Sequence, residues 1–255
     1  MKETMIFEQK KIKRKLRNPI LLIGLPGIGL IGQVVGKYIV KELNAKQIAV
    51  LFSPYFPHQV LMSRKGTMRL IKNAFYMYNA KKFDLIILVG DIQAMSSVGQ
   101  YEVAGKILDY AKKLGVKKII AVGGYSTGVV TEKRRIFGVV TAPEEINELK
   151  KMGVVFGEAK GSIVGSAGLI PALGALRGIK GICLLGETHG GYVDTITAKE
   201  VVALLSTYLG IEINLKKIDE RAKKSEKIIK RLEEEIKRNI ETSFGQEPSK
   251  ISYIR

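Results

Sequence analysis

Residue types that could carry chemistry gather in three places along this chain of 255 residues. The first is NPILLIGLPGIGLIG, from Asn18 to Gly32, in which Gly27, Gly29 and Gly32 fit G-x-G-x-x-G. That spacing brings a backbone close to a pyrophosphate at the N-terminus of a helix. The second is GYSTG, from Gly124 to Gly128, which matches G-x-S-x-G and would present Ser126 as a nucleophile. The third is ETHGGYVD, from Glu187 to Asp194, where Glu187 and His189 have the right chemistry for acid–base work. Asp91, at the end of another strand, belongs near them by sheet logic.

Each motif has a requirement that the neighbouring residues test. A dinucleotide site wants an acid at the end of the next strand, about 20 residues on, to hold the ribose. Ile48 to Phe56 contains no Asp or Glu, and no Gly-Lys-Ser/Thr follows the glycines. The glycines are therefore expected to pack a first strand tightly against a first helix. The alternative is a nucleotide or nucleoside site, built from Gly24, Pro26, Gly27, Gly29 and Gly32 with Glu187, His189 and Asp194. A nucleophile elbow needs a helix next, and TGVVTEKRR is not one. The chain order is also wrong for a hydrolase triad, since Asp194 follows His189. The polar cluster at 187–194 is accordingly read as structuring its loop or lining a subunit contact. Two histidines and one cysteine, far apart, give no metal-ligand spacing, and no cofactor is expected.

The elements that position these residues alternate between strand and helix. Apolar runs predict strands at 20–23, 47–52, 84–90, 117–122 and 181–186; that at 84–90, DLIILVG, is the clearest buried one. Helices are predicted from near Leu30 to Leu43, from Ser96 or Ser97 to Leu114, from Leu169 to Leu176, and from a Thr197 cap to Leu209, with a short one opening at Pro143. Residues 1–18 read as an edge strand or arm. Val60–Ser63, Met68–Lys72 and Ala74–Tyr78 read as short strands of an antiparallel insert. The pattern predicts a three-layer α/β/α sandwich on a mostly parallel sheet.

The formal charge is +18, with Lys spread along the whole chain and a denser run from Lys10 to Arg17. Scattered Lys, abundant Ile, one Cys and no Trp resemble heat-adapted intracellular proteins. Cys183, inside GICLLGE, is expected to be a buried small hydrophobe. No basic–aromatic interleaving or reading module points to nucleic acid. The basic run before an apolar stretch looks like a signal sequence, but Pro26 and the glycines interrupt it and no small-residue cleavage site follows. A cytoplasmic protein without a membrane segment is expected.

After Gly210 the chain changes character. Leu215, Ile218, Ala222, Ser225, Ile229, Leu232 and Ile236 recur at alternating steps of three and four, a heptad seam in a Lys/Glu-rich helix. The seam is expected to project and pair with another chain. From Ser243 the polar SFGQEPSKISYIR reads as a mobile tail. The division is thus 1–212 α/β body, 213–243 helical extension and 244–255 tail.

Several segments, taken together and in order, resemble one family. They are GLPGIGLIG, LVGDIQAMSSVGQYEVAGKILDYAKKLGVKKII, AVGGYSTG, GLIPALGALRGIKGICLLGETHGGYVD and AKEVVALLSTYLGIEI. The chain is similar over 18–214 to the PAC2 family, that of proteasome assembly chaperone 2 and its archaeal homologues. Many relatives have Asp-Pro where this chain has Asp194-Thr195, and Thr can cap the following helix in place of the proline. The resemblance implies a sandwich shaped like nucleoside phosphorylases, no catalytic activity, homo-oligomerisation and binding to proteasome α subunits. It also implies a C-terminal hydrophobic–Tyr–any ending that docks between those subunits. Here Tyr253, Ile254 and Arg255 end the chain, with the tyrosine third from the end rather than second.

Overall fold

The computed structural model describes residues 1–10, 12, 14–129, 133–159 and 161–224. Its centre is an eight-stranded sheet. In sequence the strands are β1 (Met5–Glu8), β2 (Ile20–Gly24), β3 (Lys46–Phe52), β4 (Val60–Met62), β5 (Met68–Leu70), β6 (Asn73–Asn79), β7 (Asp84–Gly90), β8 (Lys118–Ser126), β9 (Ile136–Val140) and β10 (Lys180–Thr188). The sheet order is β1-β3-β6-β7-β2-β8-β10-β9, and β4 pairs only with β5. The four strands β7, β2, β8 and β10 are mutually parallel. β6, β3 and β1 extend one side by antiparallel pairings, and β9 closes the other side the same way. The expected insert is thereby corrected: β6 is a full member of the main sheet, and only β4 and β5 stand apart as a ribbon.

Period-two burial assigns the side chains of the parallel strands to two cores. Leu21, Ile23, Ile86, Leu88, Ile119 and Ala121 face one side, under α2 (Ser97–Lys113) and α4 (Ser166–Ala175). Leu22, Leu85, Ile87, Ile120, Ile182 and Leu184 face the other, under α1 (Ile31–Glu42) and α5 (Thr195–Leu209). The result is three layers, as the alternating pattern required. The short α3 (Ile146–Lys151) buries Leu149 beside the second core.

Two helix starts differ from expectation, and in each the cap is the reason. Helix α4 begins at Ser166 rather than Leu169, because the Gln93 side chain accepts the Ser166 amide at 2.8 Å from 73 residues upstream. Helix α5 begins at Thr195, and its cap is Asp194, not Thr197; the Asp194 carboxylate accepts the Thr197 amide at 2.9 Å. The amino-terminal arm is clasped in a similar way. Asp84, fully buried, takes both Arg14 guanidinium nitrogens at 2.7 and 2.8 Å and the Arg17 amide at 2.7 Å. Burial alone would raise its pKa, and these donors outweigh burial and hold it below the usual carboxylate range.

The body does not stop at residue 212. Ile211, Ile213, Ile218 and Ala222 are buried in the second core, and Leu215 packs against it. Tyr38 donates to the Asn214 carbonyl at 2.5 Å, and Lys199 pairs with Asp219 at 2.9 Å across α5. The helix at 216–224 therefore spends the first part of its seam on its own subunit. Ile218 is not free to meet another chain, because its own core has already taken it, while half-buried Leu215 packs at the edge of that core. Ser225, Ile229, Leu232 and Ile236, with Tyr253, Ile254 and Arg255, lie outside the described residues.

Helix α1 approaches the sheet through glycines. A Cβ on Gly24 would lie 2.6 Å from the Gly32 carbonyl oxygen and 2.7 Å from the Gly36 Cα, both rigid backbone. Gly24→Ala is expected to cost about 1–3 kcal/mol by overpacking. Denaturant unfolding checks this, and an unchanged midpoint would refute the close contact.

Candidate functional site

The three chemically suggestive stretches converge at the carboxyl ends of β2, β8 and β10, where open α/β sheets place ligands. They meet chiefly through one another's backbone. After β2 the chain makes a 3-10 turn over Ile28–Leu30, with Gly29 at φ 62°. The Gly29 carbonyl accepts the Asp194 amide at 2.9 Å, and a Cβ there would press on the Thr188 side chain at 3.1 Å. Thr127 donates its amide to the Thr188 carbonyl at 3.0 Å, and the Ser126 hydroxyl donates to the His189 carbonyl at 2.9 Å. The glycine turn, the G-x-S-x-G loop and the 187–194 loop are thus stitched together. Gly24 and Gly32 are buried in the contact between β2 and α1, and Pro26 accepts from the Gln93 amide through its carbonyl.

Each candidate acid or base is occupied. Glu187, 1% exposed, takes Arg135 Nε at 3.0 Å, Arg135 Nη2 at 2.9 Å and the Arg135 amide at 3.2 Å. The Arg135 guanidinium also pairs with Glu158 at 3.0 Å and lies 4.9 Å from the Phe137 ring centre. This partner holds Glu187 below the usual carboxylate range against the opposing effect of burial, so it stays ionised and is poorly suited to donate a proton near neutrality. Asp194 is fully buried and spends one carboxylate oxygen on the Thr197 amide and the other on the Thr197 hydroxyl at 3.0 Å. His189 is exposed, stacks on Tyr192 with centroids 5.7 Å apart, and accepts the Gly191 amide at Nδ1. Its ring is not the partner of the Ser126 hydroxyl, which donates to the His189 carbonyl instead, so the two do not form the serine–histidine pair of a triad. Asp91 turns away to Arg69 at 2.5 and 3.0 Å. Cys183 is buried and its thiol is pushed up to about 12, as expected of a small hydrophobe.

What the strand ends do enclose is an apolar cleft of about 430 Å³. Gly27, Ile28, Gly124, Ser126, Ile163 and Val164 contribute to its wall, and among the described residues the lining carries no Lys or Arg. Glu187, His189 and Asp194 do not line it. The proposed ligand set is therefore not brought into one cavity: of its members only Gly27 reaches the cleft. Sequence reasoning missed Arg135 and also Gln93, whose amide joins Pro26 to Ser166. It also missed the exposure of β4 and β5. The apolar run Val60-Leu61-Met62 and the alternating Met68-Arg69-Leu70 read as strands, but no sequence feature says that a strand pair stands outside the sheet. Among the described residues no helix is long and apolar enough to cross a membrane, and no three His, Cys, Asp or Glu gather as metal ligands.

Fold, glycine contact and stitched loops together define a mixed α/β scaffold in which the candidate catalytic groups serve structure. Residues 21–233 match the PAC2 family, and the chain belongs to it. A solved structure of Pyrococcus furiosus PbaB, described as an archaeal proteasome activator, is 39% identical and superposes with a TM-score of 0.85 over 91% of this chain and 100% of that one. Pyrococcus furiosus PbaA, described as an archaeal homolog of proteasome-assembly chaperone, is 28% identical with a TM-score of 0.75 over 95% of this chain and 98% of that one. The uncharacterized protein MJ1210 of Methanocaldococcus jannaschii is 33% identical over 98% of this chain and 100% of its own length.

Two outcomes follow for the loop network. Asp194→Ala removes a buried N-cap and is expected to cost about 2 kcal/mol, the upper part of the capping range; Asp194→Asn, which can still cap, should recover most of it. Arg135→Met should lower the melting temperature at neutral pH. Glu187 binds its proton less readily folded than unfolded, so the pair's contribution is complete above the unfolded value of about 4.3 and is lost as pH falls through the folded value. The gap between wild type and Arg135→Met should therefore close on acidification below about pH 4, and a gap constant with pH would contradict the pairing.

Proposed function

We propose that this protein is a non-enzymatic, cytoplasmic, homo-oligomeric binding protein that engages proteasome α subunits or related assembly factors. The observation that carries the reading is 39% identity over the whole length of PbaB, a proteasome activator by description. The occupied state of Glu187, Asp194 and Ser126 supports it, since each is held by groups of its own chain. The body, nucleoside-phosphorylase-like in shape, serves as scaffold. The seam beyond residue 224, with Ile229, Leu232 and Ile236, supplies the contact between subunits as a coiled coil. Tyr253, Ile254 and Arg255 anchor the partner.

Purified α subunits, assembled and unassembled, are passed over immobilised full-length protein and over a chain ending at Lys224. The cut falls there because Ile218 and Ala222 belong to the core, so an earlier one would damage the fold. Full-length protein is expected to retain α subunits, and the shortened chain to retain fewer and to have a lower oligomer mass by light scattering. Absence of binding by both forms would refute the proposal.

A further inference from the structure

The ribbon formed by β4 and β5 has no core of its own, and every residue in it is exposed. Its register pairs Val60 with Leu70, Leu61 with Arg69 and Met62 with Met68. Directly opposed residues share a face, so Val60, Met62, Met68 and Leu70 make one apolar face and Leu61 with Arg69 the other. The four are 48%, 86%, 74% and 53% exposed, and the face continues into a shallow groove of about 320 Å³ beside Phe52, Phe56 and Pro57. A two-stranded hairpin with its apolar side in water is marginal alone. This one is held at both ends. At the tip, the Ser63 amide donates to the Thr67 carbonyl at 2.8 Å, and Gly66, at φ 75°, donates its amide to the Ser63 carbonyl at 3.1 Å. At the base, Arg69 grips Asp91 at the end of β7, and the Asp91 amide donates to the Lys72 carbonyl at 3.0 Å. Burial would raise Asp91, but Arg69 and the Lys72 amide outweigh it and keep the anchor ionised. A shaped, fastened apolar face left in water marks an interaction surface.

Charge says what kind. Between Glu42 and Asp84 the sequence has no Asp or Glu and seven Lys or Arg, among them Arg64 and Lys65 at the ribbon tip. A second copy placed face to face would oppose two such basic ribbons on chains of formal charge +18, which like-charge repulsion disfavours. We propose that the face formed by Val60, Met62, Met68 and Leu70 docks a different protein, through an apolar patch rimmed by carboxylates that meet Arg64 and Lys65. On the function proposed above, on which this rests, that partner is the proteasome α subunit, and the ribbon is a second contact independent of the tail. The flexible methionines suit a partner surface of irregular shape.

The test uses the full chain and purified α subunits. Met62→Ser with Met68→Ser, and separately Arg64→Glu with Lys65→Glu, change only exposed side chains, so melting temperature and oligomer mass should hold. Each pair is expected to weaken α-subunit binding about tenfold or more. The wild-type affinity should fall with added salt, and that of the charge-reversed variant should not. Wild-type binding that both variants retain would overturn the ribbon proposal and leave the proposed function intact. Failure of the wild type itself to bind would remove the proposed function and this proposal with it. A drop in oligomer mass in either variant would name a second copy as the occupant, and variant-sensitive binding to vesicles of phosphatidylcholine and phosphatidylglycerol would name a lipid surface. Either would overturn the assignment to a protein partner.

Discussion

The structure depends on how closely one helix can approach one sheet. Helix α1 lies on β2 and β8 with Gly24, Gly32 and Gly36 at the contact, where backbone meets backbone with no side chain between. A methyl group at Gly24 would enter the space of the Gly32 carbonyl, and nothing there can rotate away. Because the helix sits this low, the 3-10 turn at its start reaches across β8 to touch the loop after β10. The Gly29 carbonyl accepts the Asp194 amide there, holding the residue whose carboxylate caps α5. The same G-x-G-x-x-G spacing that elsewhere lets a backbone approach a phosphate here lets it approach its own sheet.

The polar residues at the strand ends follow from that geometry. Three loops compressed into one place have many amides and carbonyls to satisfy, and unsatisfied buried ones cost on the order of 1–3 kcal/mol each. Asp194, Thr197, Ser126 and Gln93 are the groups that satisfy them, each bonded to backbone of a neighbouring loop or helix start. Glu187 and Arg135 tie β10 to the start of β9 in the same region. With overall stabilities of about 5–15 kcal/mol, these few bonds matter. A group that holds the fold in this way is a poor candidate for proton transfer, since the reaction would break the contact. Among the described residues, what these contacts leave uncommitted includes the exposed apolar ribbon of β4 and β5 and the apolar cleft at the strand ends.

Much of this was legible in the residues. Strand-length aliphatic runs separated by helical periodicity fixed three layers, and DLIILVG could only be a strand buried on both faces, as β7 is. Cys183 was recognisable as a core residue from its apolar neighbours. The missing acid near Phe56 already argued for close packing, and Gly32 does lie against the Val122 and Leu25 carbonyls. The seam after Gly210 was legible as a helix, but not which partner its first turn would take. Leu215 and Ile218 carry the same pattern whether they meet another chain or their own core.

The sequence by itself determined the local periods and the turn glycines, because those are properties of neighbours along the chain. Only the tertiary structure decided that Gln93 caps α4, that Arg135 belongs to Glu187, that β6 joins the sheet while β4 and β5 stand outside it, and that Ile218 is interior. Each of these is a contact between residues far apart in the chain. Pairing of that kind is chosen by the packing of whole layers, whose energy no short window of sequence contains.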